Sequence, residues 1–195
     1  MMSRRNENNM ELKTNRLILR EFEENDFSAV HSYASNIDNV KYMIWGPNDE
    51  YDTAVFIKEC MAWKYRSPRL HYDFAVTLKS TGQLIGGCGI YLVDDGSQAN
   101  LGWILHKDYW KQGYMPEAAE ALLEFGFEKL KLHRMFASCH VDNYGSYRVM
   151  EKCGMRREAH FIKNRRGREG IDDKWLDEYI YSILEDEWFN IINSN

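Results

Sequence analysis

Trp110-Lys111-Gln112-Gly113-Tyr114-Met115-Pro116-Glu117-Ala118-Ala119 follows a strand-like segment and runs straight into an amphipathic stretch. It reads as a glycine-centred anion cradle at the head of a helix. Gly113 admits close backbone approach, and the unpaired N–H groups and positive dipole end of the helix attract negative charge. Pro116 fits the first helical turn, where its missing N–H costs little, and Glu117 favours a helix start. Ala118, Ala119, Leu122, Leu123, Gly126, Phe127 and Leu130 then recur on one face at three- and four-residue spacing. An ordinary strand-to-helix turn shares this pattern, so the loop by itself leaves both readings open.

A second element lies downstream. Asn143-Tyr144-Gly145-Ser146-Tyr147-Arg148-Val149-Met150-Glu151-Lys152-Cys153-Gly154-Met155 follows the apolar strand Met135-Phe136-Ala137-Ser138-Cys139-His140-Val141. Together these segments resemble the acyl-CoA-binding core of the GNAT superfamily of N-acetyltransferases, and more narrowly the branch of the ribosomal-protein alanine N-acetyltransferases. Thr14-Asn15-Arg16-Leu17-Ile18-Leu19-Arg20-Glu21-Phe22, with Asp26, resembles that branch's first strand, and Tyr181-Ser182-Ile183-Leu184-Glu185-Asp186-Glu187-Trp188 its last. The resemblance covers about residues 12–190 and implies an α+β fold with a mixed, mostly antiparallel sheet flanked by helices; polar composition marks 1–10 as a loose leader before one domain at 11–195.

Composition agrees with an enzyme domain of this size. The chain has 195 residues, 44% of them apolar, enough for one sizeable core, and a net charge of −5 that argues against a nucleic-acid-coating protein. Lys163, Arg165, Arg166 and Arg168 cluster as a solvated hairpin loop or a binding patch. Cys60, Cys88, Cys139 and Cys153 have no paired short spacing and read as buried thiols in a reducing cytoplasm. No apolar run reaches the roughly 18 residues of a membrane span. His71, His106, His133 and His140 show no metal-ligand spacing, so no metal is expected. Between monomer and homodimer the sequence leaves the choice open.

Periodicity predicts a strand near 16–23, helices near 26–35 and 49–65, and strands near 72–79 and 84–93 joined by the turn Ser80-Thr81-Gly82-Gln83. A strand at 100–106, the loop and helix, a strand at 134–141, a short helix at 144–153 and strands from Met155 and Trp175 complete the order.

Acetyl transfer from a thioester to an amine requires a held acetyl donor, a neutral amine, a stabilised oxyanion and a protonated leaving group. The resemblance implies that the amides of Lys111, Gln112, Gly113, Tyr114 and Met115 hold the pyrophosphate of acetyl-CoA. It also implies that Trp103, Ile104 and Leu105 pair with the pantetheine arm, an amide at Ile104 or Leu105 serving as oxyanion donor. Asn143 stands where the family has a cofactor-contacting asparagine. Ser146 stands where the branch has a serine beside the CoA sulfur and is the candidate acid, though both residues equally suit helix caps. Many relatives place a tyrosine acid where this chain has Met150; Tyr144 and Tyr147 are alternative donors or packing residues. A glutamate common on the preceding strand is replaced by Asn100. That leaves Glu158 as first candidate for relaying a proton from the amine and Asp177 as second, against structural roles for both or a water chain. Met115 replaces a small residue and is expected to narrow the cofactor groove. Tyr42, Met43, Ile44 and Trp45 are candidate walls of an acceptor pocket. The expected activity is acetylation of a protein or peptide N-terminal amine; a small amine such as a polyamine, amino acid or antibiotic is the alternative acceptor, and a non-catalytic acyl-CoA sensor the alternative class.

Overall fold

The computed structural model describes residues 10–93 and 95–194. Most of the expected leader lies outside the described residues, and Met10 already packs against the core. Eight strands form one sheet: β1 (Glu11–Lys13), β2 (Leu17–Glu21), β3 (His71–Leu78), β4 (Leu84–Val93), β5 (Gln98–Leu105), β6 (Arg134–His140), β7 (Arg156–Arg166) and β8 (Trp175–Leu184). Their spatial order is β1-β2-β3-β4-β5-β6-β8-β7. Every neighbouring pair is antiparallel except β5–β6, which is parallel. Short turns make antiparallel partners of β3, β4 and β5, whereas the parallel step to β6 requires a crossover helix.

That crossover is α3 (Tyr114–Glu124), extended by a π-helical stretch over Phe125–Lys129. Its predicted apolar face is real: Ala118, Ala119, Leu122, Leu123 and Phe127 are buried against Leu101, Met135, Ile183 and α4 (Tyr144–Lys152). Burying side chains such as Leu122, Leu123 and Phe127 is worth about 1.5–3 kcal/mol each. The opposite face of the sheet carries α1 (Phe27–Ala34) and α2 (Glu50–Trp63), whose Val30, Tyr33, Ala34, Ile57 and Cys60 pack on Phe22 and Ala75. All four cysteines are buried and unpaired. Among the described residues no helix is long and apolar enough to cross a membrane.

Two elements differ from expectation. The stretch 181–188 is not one strand: β8 stops at Leu184 and α5 (Glu185–Asn193) begins. Glu185, Asp186 and Glu187 all face the positive end of that helix, and the Glu187 carboxylate accepts the Leu184 N–H at 2.8 Å. β1 was not expected; three residues are too few to show a period.

The feature that positions the site is the short β5–β6 pairing. It joins only Gln98, Ala99 and Asn100 to Arg134, Met135 and Phe136. Beyond those residues the two strands part, leaving a wedge between Leu101–Leu105 and Ala137–His140.

Candidate active site

The β5 edge of the wedge is main chain. His106 N–H donates to Ile85 O at 2.8 Å, and β4 and β5 pair in the register Gly86↔Leu105, Gly87↔Ile104, Cys88↔Trp103. Antiparallel alternation therefore aims the polar groups of Ile104 at β4 and those of Trp103 and Leu105 into the wedge. The Leu105 carbonyl is held from that side by Asn39 Nδ2 (3.0 Å) and Trp110 Nε1 (2.7 Å). Ile104 is thus corrected as a backbone partner for a ligand: its carbonyl lies against Gly86, and its side chain packs with the α1–α2 layer. The free N–H groups along the wedge belong to Trp103 and Leu105.

Below this edge stands the glycine loop. Lys111 and Gly113 both take left-handed backbone conformations (φ 62° and 79°), and Gly113 is the N-cap of α3. Such residues turn successive amides to one side, the geometry of an anion nest, at a helix end whose first N–H groups lack intrahelical partners. Pro116 interrupts those donors without cost. The loop is clamped from the β1–β2 turn. Arg16 Nη1 donates to Gln112 O (3.0 Å), Arg16 Nε to Glu117 Oε2 (2.7 Å), and Glu117 Oε1 accepts from Arg16 N–H (2.6 Å) and Thr14 Oγ1 (2.5 Å). Burial pushes the Glu117 carboxyl up, but the Thr14 and Arg16 hydrogen bonds outweigh it and hold the group below its ordinary range. The Arg16 guanidinium also covers the Tyr114 ring at 4.4 Å. Sequence reasoning missed this clamp, whose partners lie 101 residues apart. It also expected Met115 to narrow the groove; instead that side chain is buried in the core on the inner face of α3. The loop leaves main-chain donors and a positive helix end facing outward, which fits the pyrophosphate of an acyl-CoA.

The opposite edge is formed by β6 and the start of α4. Asn143 caps α4, its Oδ1 accepting the Ser146 N–H at 3.1 Å, so the cap reading of Asn143 is correct. The Ser146 hydroxyl lies beside the Cys139 thiol of β6, which burial pushes up to about 12 despite that contact. Cys139 therefore stays a thiol at neutral pH. Met150, the position considered for a tyrosine acid, is fully buried in the core. Tyr144 is 63% exposed and meets Tyr147 edge-on, and Tyr147 packs on Tyr179.

Neither predicted proton relay stands in the wedge. Glu158 neighbours Arg134 at the closed, paired end of β5–β6, in ion pairs with Arg134 (2.5 Å) and Arg156 (2.7 Å). The Ser182 hydroxyl and these two guanidinium groups hold its carboxyl below the usual range, the wrong direction for a base. Asp177 accepts the Lys163 N–H at 2.9 Å and faces His160 at 3.2 Å within the β7–β8 hairpin; the Lys163 bond first, then His160, keeps it low as well.

An acetyltransferase (GNAT) domain family matches residues 16–156. The chain belongs to the GNAT acetyltransferase family. It is 39% identical over 180 residues to the uncharacterized N-acetyltransferase YnaD of Bacillus subtilis (strain 168), covering 92% of this chain and 99% of that one. Among solved structures, a GNAT-family acetyltransferase from Bacillus anthracis superposes with a TM-score of 0.80 at 38% identity, covering 91% of this chain and 99% of the other. The spermidine N-acetyltransferase from Vibrio cholerae, in complex with CoA and spermine, shares the fold at a TM-score of 0.75 and 20% identity, covering 89% of this chain and 98% of that one. This protein is an acetyl-CoA-dependent N-acetyltransferase.

The wedge of this GNAT enzyme has a second face, on the α1–α2 side of the sheet. Asn100, Gly102 and Ile104 of β5 and Phe136, Ser138 and His140 of β6 share that face and are at least partly exposed. Tyr42 stacks on His140 with ring centroids 5.4 Å apart, placing one predicted wall residue at the wedge mouth. Arg168 ties the β7–β8 hairpin to the loop after α1. Its Nη1 donates to the carbonyls of Val40 (3.1 Å), Trp45 (3.3 Å) and Gly46 (3.1 Å), and its Nη2 to Lys41 O (3.2 Å). Arg165 pairs with the buried Glu178 at 2.9 Å. Two members of the basic cluster thus serve internal contacts.

Proposed function

We propose that this acetyltransferase acetylates the α-amine of a protein or peptide N-terminus. The observation that carries the reading is an open acceptor face. Its floor at Gly102 and Ser138 is reached by solvent, and Phe161 (45% exposed), in line with His140 across β8, offers an apolar contact for an extended chain. The β7–β8 hairpin borders this face, since β8 pairs with β6. Acetyl-CoA brings an acyl group activated as a thioester. The amides of Lys111, Gln112, Gly113, Tyr114 and Met115 bind its pyrophosphate, and the backbone of Trp103 and Leu105 lines its arm and offers an N–H for developing negative charge. Asn143 fixes the α4 start, and Ser146 Oγ holds a proton toward the wedge for the leaving group. The amine attacks the thioester directly, without a covalent acyl-enzyme.

Thiol release in the presence of acetyl-CoA, with a panel of peptides of varied first residue against polyamines and free amino acids, tests this reading. Peptide turnover at kcat/KM at least tenfold above any small amine is the expected result. Preference for a small amine overturns the peptide assignment and leaves the family activity intact.

A further inference from the structure

Tyr91 lies flat across two glycines. Its hydroxyl donates to Asp73 Oδ1 at 2.9 Å, and a Cβ built at Gly89 meets that hydroxyl at 2.7 Å, while one built at Gly102 meets the ring edge at 3.1 Å. The missing side chains of Gly89 and Gly102 are what allow the phenol to lie across β4, its hydroxyl on Asp73 of β3 and its ring edge against Gly102 of β5. The Tyr91 hydroxyl is 3.8 Å from the Cβ position of Gly102, whose neighbour Trp103 carries wedge-facing backbone groups. Directly opposite Tyr91 stands Asn100, on the same face. Its Oδ1 is buried and has no hydrogen-bond partner among the described residues. A buried acceptor left unpaired calls for an explanation, and an incoming N–H supplies one.

We propose that Asn100 and Tyr91 receive the acceptor amine and that Tyr91, backed by Asp73, removes its proton. The inference rests on the amine-acetyltransferase reading and takes up the task left vacant by the ion-paired Glu158. Asn100 Oδ1 accepts one N–H of the bound ammonium. A second N–H bond breaks: its proton passes to Tyr91 Oη as the Tyr91 O–H proton passes to the Asp73 carboxylate, leaving the lone pair on nitrogen. Asp73 then returns its proton to solvent. Tyr91 is the catalytic residue, and Asp73 acts through it. Burial raises the Asp73 carboxyl, opposed by the Tyr91 hydrogen bond and by His71 and Arg69 on its own side of the sheet; Glu59 of α2 adds to the rise, and Cys60 of the same helix is a protonated thiol. The balance favours proton uptake more than at an ordinary aspartate.

The test is kcat, KM and kcat/KM against pH for the wild type, Tyr91→Phe, Asp73→Asn and the double variant, with acetyl-CoA affinity measured in each. Tyr91→Phe keeps the ring over the glycines, and Asp73→Asn keeps an acceptor for the hydroxyl. Each single variant is expected to lose about a hundredfold in kcat with acetyl-CoA affinity unchanged, and the double variant no more than either, because one relay is removed only once. The acid limb of kcat/KM moves up to the ionisation of the free amine. Variants within twofold of wild-type kcat with an unmoved acid limb overturn the relay. In the unaltered enzyme, acceptors of different amine basicity provide a second check. An enzyme ionisation that stays fixed across them is expected, and an acid limb that simply tracks the acceptor overturns the relay even where the variants fold poorly. Wild-type protein that turns over no amine at all instead overturns the underlying reading.

Discussion

Gly86 and Ser146 show what single atoms decide. A methyl at Gly86 would run into the Ile104 carbonyl and approach Leu105 Cα at 3.0 Å, both of them backbone that cannot rotate away. Gly86→Ala is therefore expected to destabilise the fold by about 1–3 kcal/mol in chemical denaturation, the usual cost of overpacking, and to disturb the wedge-facing edge as β5 shifts. Ser146→Ala removes one hydroxyl beside a neutral thiol. It is expected to leave acetyl-CoA affinity within about twofold while kcat falls roughly ten- to a hundredfold, measured by titration and by thiol release. Normal turnover of that variant excludes the serine as acid. At this scale the sequence was readable where the signal is local: Gly113 sits in a loop whose neighbours all point to a helix start. The ion pair of Glu158 is not legible locally because its partner, Arg134, lies 24 residues away on another strand, and the burial of Met115 is not because a residue beside a cradle faces either outward or into the core.

At the scale of elements, two clamps hold the walls of the site. Arg168 fastens the β7–β8 hairpin to four carbonyls of the loop after α1. Arg168→Ala is expected to raise KM for the acceptor severalfold and leave acetyl-CoA affinity unchanged; equal effects on both ligands contradict its placement on the acceptor side. Glu117→Gln loosens Arg16 and Thr14 from the head of α3, so acetyl-CoA affinity and thermal stability are both expected to fall. Helices and strands with long periodic patterns were legible, α3 and the β3–β4 hairpin above all. α5 was not, because Glu185-Asp186-Glu187 follows an apolar strand without a break, and its helix signal lies in charge at a dipole end rather than in apolar spacing. Nor were the clamps, since a side-chain bond to distant carbonyls leaves no local pattern.

Across the whole molecule, carboxylates with depressed folded-state ionisation set the acid limit. Glu117, Glu158 and Asp177 are all held low by hydrogen bonds and cations in the native state. Groups of this kind stabilise fully above their unfolded pKa, about 4 for carboxylates, and that contribution fades as pH falls through the folded values. Denaturation midpoints are thus expected to hold from neutral pH to about 5 and to drop below about 4, with the drop reduced in Glu117→Gln. The order of strands and helices could be read from the chain because hairpins and crossovers leave punctuation; the wedge could not, because it consists of pairing that stops. That stop has a consequence for inheritance. The wedge-facing edge at Trp103 and Leu105 is written in register rather than in the amino-acid alphabet, so its amides persist through any side-chain change that the core accommodates. Only a residue that deletes an amide, such as proline at 105, erases it in one step.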